Sequence, residues 1–238
     1  MQIDHFETWE DYLHNSQASS AQSKKRSTKE FAGGSSPYSP QQYSLKAQPQ
    51  LTLSLNDLGL KIDFKAPFMS NKRPPEPSGR LWGLWEYEVL EVFLAGAHDE
   101  YLELEFGPYE HHLALYFRGE RHLINEMLEL NSLSFWHEEI FWGGSCLLAY
   151  HNLPPSFTDL GQETTVDHIS GQEGSDSKDR VILGINAFWC FQDRLEKRKY
   201  CCAFPLPGAS PDFHQPQQFP KYTLAKPKPT LHKQKYES

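Results

Sequence analysis

LWGLWEYEVLEVFLAGAHDEYLELEF, residues 81–106, carries two runs of alternating aromatic, aliphatic and acidic side chains across a short Gly/Asp turn. Successive side chains of an extended chain point to opposite sides. Trp85, Tyr87, Val89, Glu91 and Phe93 therefore share one face of the first run, and Glu86, Glu88, Leu90, Val92 and Leu94 the other. In the second run Leu102, Leu104 and Phe106 alternate with Tyr101, Glu103 and Glu105, the pattern of a half-buried strand. Residues 95–99, with Gly96, suit the connecting loop, and His111–Phe117 repeats the alternation through Leu113, Leu115 and Phe117. Three such strands with short connections predict an antiparallel meander.

Working outward, Leu51, Leu53 and Leu55 alternate with polar residues, Asn56, Asp57 and Gly59 supply a turn, and Leu60, Ile62 and Phe64 alternate again, a first hairpin. Residues 67–80 hold Pro67, Pro74, Pro75, Pro77 and Gly79 and predict a long surface connection, the kind of segment that carries recognition groups. His122–Leu130 fits a strand or a helical turn equally. Phe135–Tyr150 predicts strand, and Asn152–Leu160, with Pro154 and Pro155, a short helix or turn. Arg180–Phe191 and Lys199–Phe204 form a late hairpin. About eight or nine strands at this spacing predict an all-β, antiparallel two-sheet β-sandwich, with the jelly roll one of the candidate topologies.

The 238 residues suit one domain with tails. Residues 16–40 are rich in Ser, Gln, Gly and Lys with almost no aliphatic side chains, too little apolar surface to offset chain entropy. The expected organisation is a disordered N-terminal tail over 1–50, the sandwich over 51–220 with a mobile loop at 161–179, and a basic, disordered C-terminal tail over 221–238. Residues 51–220 hold 13 basic and 25 acidic side chains, and a domain of net −12 repels phosphate backbones, which argues against a nucleic-acid partner. Met1–Asp11 has acidic residues and no apolar leader, and no stretch reaches membrane-spanning length, so the expected location is cytoplasmic with no membrane partner. Cys146, Cys190, Cys201 and Cys202 lack CxxC spacing and read as buried reduced thiols rather than a metal or redox site.

Two readings of the aromatic set stand side by side. Trp82, Trp85, Tyr87 and Trp189 offer flat apolar faces to sugar C–H groups, with Glu88 and Glu91 as acceptors for hydroxyls; alternatively Trp85 and Trp189 fill the core. Trp82, in the loop, is the better ligand residue. Glu91 sits between apolar Val89 and Phe93, where a carboxylate needs a ligand or an internal partner such as Arg194 or Arg180. Glycoside hydrolysis needs two facing carboxylates; Glu88 and Glu91 point apart, so the second would come from Glu103 or Glu105. His111 and His112 point apart on their strand and do not make a metal site. Oxygen-bearing residues between Asp159 and Asp179 would suit a structural calcium ion, the one cofactor with any support. Ser145 lies in GGSC, not in a nucleophile elbow, and no catalytic residue is assigned.

LWEYEVLEVFLAGAHDEYLELEFGPYEHHLALYF, residues 84–117, resembles the uncharacterised family named after human chromosome four open reading frame thirty-three. Ala66–Phe68, Leu153 with Pro154, and PDFHQPQQF at Pro211–Phe219 fit the same pattern. That family is similar in turn to DOMON-like and family-nine carbohydrate-binding β-sandwiches, through an acidic strand and a late Asn-containing strand, here Gly184–Trp189. The resemblance implies a sandwich and a glycan site, with Trp82 or Trp85 and Trp189 as the analogous sugar-stacking pair, but no activity. The expected function is a non-catalytic module that binds a carbohydrate or other small ligand. The alternative is an intracellular protein-interaction module using the C-terminal tail or a sheet edge, and the third reading is a glycoside-processing enzyme.

Overall fold

A computed structural model of the chain describes residues 1–3, 6–8, 48–96, 99–126, 128–154, 157, 180–193, 195–208 and 211–225. The predicted loop at 161–179 and most of both predicted tails lie outside them. The strands in chain order are β1 (Gln2–Ile3), β2 (Glu7–Thr8), β3 (Gln50–Leu55), β4 (Gly59–Pro67), β5 (Gly79–Arg80), β6 (Val89–Ala95) and β7 (Glu100–Phe106). They continue with β8 (His111–Arg118), β9 (His122–Asn125), β10 (Asn131–His137), β11 (Phe141–Ala149), β12 (Arg180–Gln192), β13 (Arg198–Cys202) and β14 (Lys221–Ala225).

These strands form two sheets. The smaller runs β1-β3-β4-β11-β10 and the larger β2-β13-β12-β6-β7-β8-β5, with β14 sharing the edge of β12 and β9 that of β8. Among them every pairing is antiparallel except β5 with β8. The all-β sandwich is therefore the observed fold. Leu51, Leu53, Ile62, Phe64, Trp142 and Leu148 of the small sheet meet Leu90, Val92, Leu94, Leu102, Leu104, Phe106 and Ile185 of the large one in a single core. Phe64 stacks on Phe106 at 4.1 Å across that interface.

Four expectations change. The described strands number fourteen: β1, β2 and β5 are two-residue ladders too short to show alternation, Phe135–Tyr150 spans parts of two strands, β10 and β11, and β14 lies in the predicted C-terminal tail. Trp85 and Tyr87 are not on the meander strand: Leu84–Glu86 is a 3-10 turn, entered through Gly83 at φ 83°, a left-handed conformation that favours glycine. Both ends of the domain reach past 51 and 220, since β1 pairs with β3 and β14 with β12, and Ile3, Phe6 and Leu224 are buried in the core. Finally, β7 is buried on both faces rather than one. The reason is a second apolar layer on the far side of the large sheet, where Val89, Phe93, Tyr101, Leu113, Leu115, Phe117 and Phe188 are covered by Leu81, Leu84, Leu206, Phe213 and Phe219.

The ambiguous 122–130 segment begins with strand β9, and 135–150 resolves into the β10–β11 hairpin with its turn at 138–140. All four cysteines are buried thiols outside any disulfide. Burial pushes the Cys146 thiol up to about 12. No helix among the described residues is long and apolar enough to cross a membrane.

Candidate functional site

The loop after β4 is fastened by one carboxylate. Glu88, just ahead of β6, accepts hydrogen bonds from the backbone N–H groups of Met69 (3.1 Å) and Asn71 (3.5 Å) and from the Trp142 indole (3.1 Å). Ser70 between those amides is left-handed (φ 56°), so alternate N–H groups converge on one acceptor, an anion-cradling arrangement of backbone amides. Burial outweighs those donors and raises the Glu88 carboxyl from 4.5 to about 7. Asn71 is then clamped to the end of β12: its Nδ2 donates to Gln192 O at 2.8 Å and its Oδ1 accepts from Gln192 N at 2.7 Å. Tyr109 donates to Asn71 O at 2.8 Å.

This fastening leaves a cleft of about 200 Å³ lined by Asn71, Lys72, Glu86, Tyr87, Glu88 and Gln192. The 82–87 turn forms one wall and is itself locked. Arg198, the first residue of β13, donates to Tyr87 O and Trp85 O, each at 2.6 Å. Trp82 stands 56% exposed with its ring edge-to-face against half-buried Trp85, centroids 5.1 Å apart. Of the six residues singled out from the sequence, Trp82, Trp85, Tyr87 and Glu88 gather at this end of the sandwich.

Trp189 and Glu91 do not join them. Trp189 points into the core, stacked on Phe191 at 4.1 Å, with its indole nitrogen buried and unpartnered among the described residues. Its pairing with Leu90 puts it on the inner face, opposite the aromatic turn. The core reading of Trp189 is therefore the observed one, and it cannot pair with Trp82 or Trp85 around a ligand. Glu91 faces the second apolar layer, opposite Glu105 on β7, and Glu103 follows on the same face. All three are buried, at 3%, 5% and 0% exposure for Glu91, Glu103 and Glu105.

Among the described side chains the cation that acts on Glu91 is Arg198; the side chains of Arg194 and Arg180, the partners expected from the sequence, lie outside the described residues. Burial raises Glu91 from 4.5 to about 7 despite Arg198 and a 3.8 Å contact from the Cys190 thiol. Glu103 and Glu105 are raised well above 4.5, first by burial and then by their carboxylate neighbours. Among the described residues neither Glu105 oxygen has a hydrogen-bond partner; the Trp85 N–H favours its charged form from outside good geometry. The sequence pattern singled out Glu91 and, in reading β7 as half-buried, left Glu103 and Glu105 on the side away from Leu102, Leu104 and Phe106. The register of these two glutamates opposite Glu91 was readable; the covering layer, built from residues far along the chain, was not.

Glu103 and Glu105 do share a face with Glu91, as hydrolysis would require, but the trio lies sealed under side chains rather than in an open groove. Among the described residues no group of three His, Cys, Asp or Glu side chains is placed to hold a metal ion. The calcium reading concerned 159–179, outside the described residues.

No protein-family model matches the chain. It is similar to UPF0462 protein C4orf33 of Homo sapiens, 28% identical over 192 residues, covering 76% of this chain and 83% of that protein. The homologs of Rattus norvegicus and Danio rerio are also 28% identical, over 184 and 186 residues. A solved structure from Bacteroides uniformis, described as a "putative carbohydrate-binding protein", superposes with a TM-score of 0.53 at 16% identity, over 77% of this chain and 81% of its own. The family resemblance read from residues 84–117 is thus a finding: the proteins named UPF0462 protein C4orf33 are homologues of this chain over about three quarters of its length.

Proposed function

We propose that this chain is a non-catalytic, cytoplasmic, DOMON-like module that binds a carbohydrate or similarly hydroxylated small ligand at the 82–87 turn. The observation that carries the reading is Trp82, a large aromatic ring left 56% exposed on a turn locked by Arg198, beside a polar cleft already fastened by Glu88 and Asn71. Exposed rings on rigid supports bind at low ordering cost. Trp82 supplies the apolar face, Glu86 and Tyr87 rim the cleft with polar groups, and Lys72 adds a donor. Glu88 holds the loop rather than the ligand, because its oxygens already accept from Met69, Asn71 and Trp142. The solved neighbour's description as carbohydrate-binding supports this at the level of fold.

A glycan array on the full chain, followed by tryptophan-fluorescence titration of each hit, tests it. Trp82→Ala should weaken a genuine hit about tenfold, the equivalent of ~1.4 kcal/mol. A saccharide hit indifferent to Trp82→Ala, or an array without hits, would overturn the assignment.

A further inference from the structure

The PDFHQPQQF segment lies across the buried carboxyl trio. Phe213 stacks on Phe188 with ring centroids 3.8 Å apart, and Phe219 packs on Phe93 at 5.9 Å. His214 sits over the ring cluster of Phe93, Tyr101 and Phe117, its Nδ1 2.7 Å from the Tyr101 hydroxyl and its Nε2 3.9 Å from Glu103 Oε2. An ionic clasp holds the segment at its outer rim, Arg121 to Asp212 at 2.8 Å, and both side chains there are well exposed. The far end is fixed by Pro220, whose carbonyl accepts from Ile185 N at 3.0 Å. One end is thus tethered into the sheet and the other closed by a solvent-exposed ion pair.

We propose that Pro211–Phe219 is a pH-released strap: it lies flat while the Glu91, Glu103 and Glu105 carboxyl groups carry protons, and their ionisation lifts it from the aromatic face of Phe93, Tyr101, Phe117 and Phe188. The strap does not rest on the Trp82 reading, although Arg198, which locks the 82–87 turn, also acts on Glu91 and Glu105. Like charges directly opposite on paired strands repel, and Glu91 faces Glu105 in register. Among the described residues neither Glu105 oxygen has a well-formed hydrogen bond, and the help from Arg198 and the Trp85 N–H is outweighed by burial and the neighbouring carboxylates, so its charge is strongly disfavoured. Arg198 and Arg121 offset only part of this: Arg198 favours ionised Glu91 and Glu105 while it donates to the Trp85 and Tyr87 carbonyls, Arg121 favours ionised Glu103 while it pairs with Asp212, and burial outweighs both.

The other titratable groups on this layer do not supply positive charge. Tyr101 and Cys190 are raised by burial, and β13 contributes Tyr200 and Cys202 besides Arg198. Tyr87 packs at the edge of the layer, and β8 presents Leu113, Leu115 and Phe117. In the closed form His214 is lowered from 6.5 to about 4, chiefly by burial, and is neutral; in the open form it regains part of one proton near the lower end of the range, fewer than the three carboxyls release. Asp212 is lowered and stays charged for Arg121. Lifting the strap admits water to the carboxyls and returns them toward their ordinary values. The closed form therefore binds more protons than the open one, and opening is favoured as pH rises from the ordinary glutamate value through about 7 and beyond.

Amide hydrogen exchange on the full chain, corrected for intrinsic rates, tests this at ~pH 6 and ~pH 8.5, with each released proton worth up to tenfold per pH unit. Protection over residues 212–219 should fall at least about tenfold across that interval while the β4–β11 ladder changes little. Glu105→Gln should flatten the strap's pH dependence, and Arg121→Ala should lower its protection at both pH values. Strap and β4–β11 amides losing protection together in the unmodified chain would overturn the proposal, a result that needs no variant to fold. A well-folded Glu105→Gln chain with unchanged pH dependence would overturn it as well.

Discussion

Glu88→Gln separates charge from shape at the residue that fastens the 67–72 loop. Glu88 is 1% exposed and its carboxyl is raised from 4.5 to about 7, mainly by burial. The unfolded chain ionises near the ordinary value, so between about pH 4.5 and pH 7 the folded state holds a proton that the unfolded state has released. Stability from this group is complete below the unfolded value and is lost as pH rises through the folded one. At 1.36 kcal/mol per pH unit the loss reaches about 3 kcal/mol by neutral pH. Glutamine does not titrate and escapes it. Its amide N–H₂ must, however, face at least one of the donors from Met69, Asn71 or Trp142, a pH-independent cost of about 1–3 kcal/mol. The intercept therefore favours the natural residue and the slope favours the variant. Urea unfolding of both proteins at a series of pH values from ~4.5 to ~8 reads the difference directly, and the Glu91 trio, common to both, cancels. Stability curves that stay parallel across the series would refute a buried, proton-bearing Glu88.

Two tryptophans with opposite hydrogen-bond status make a matched pair: Trp142→Phe removes the indole donor to Glu88 and should cost about 2–4 kcal/mol, whereas Trp189→Phe deletes a buried N–H with no partner among the described residues and should cost less than about half as much by chemical denaturation. Gly143→Ala would put a Cβ 2.3 Å from the Phe64 carbonyl oxygen and 2.5 Å from the Trp136 ring, and overpacking of that kind should lower stability by about 1–3 kcal/mol and shift Trp136 fluorescence. Asn186→Ala removes a side chain that bonds both the N–H and the C=O of Phe204, at 3.1 and 2.9 Å, and should cost about 2–3 kcal/mol, visible as a lower thermal midpoint with faster amide exchange at 203–204.

Strand alternation made most of the sandwich legible. Leu51–Leu55, Leu60–Phe64 and the meander from Val89 to Phe117 are strands where period-two patterning places them. What failed was alternation carried too far back: Trp85 and Tyr87 keep the spacing of a strand face, but Gly83 turns the backbone left-handed and starts a 3-10 turn. Alternation also reports two faces without saying how many are covered. On the side away from Leu102, Leu104 and Phe106, Glu103 and Glu105 carry an acidic residue at every second position, the normal mark of an exposed face. Their burial depends on Phe213, His214 and Phe219, which no local pattern links to β7. The site was half legible for the same reason: Trp82 in a loop announced itself, while the clamp of Asn71 on Gln192 joins residues distant in sequence.

The register of the large sheet orders events as the chain leaves the ribosome. Leu94 pairs with Leu102 almost at once, but its other neighbour, Ile185, arrives only after the small sheet has been synthesised. Until then β6 is a bare strand edge, seven residues that are all buried in the finished domain. Unpaired apolar edges recruit other chains. In the nascent hairpin Glu91, Glu103 and Glu105 stand in water and are ionised at neutral pH, so the exposed face carries negative charges that repel a second copy. The same three carboxylates that burden the folded sheet act as gatekeepers before it closes.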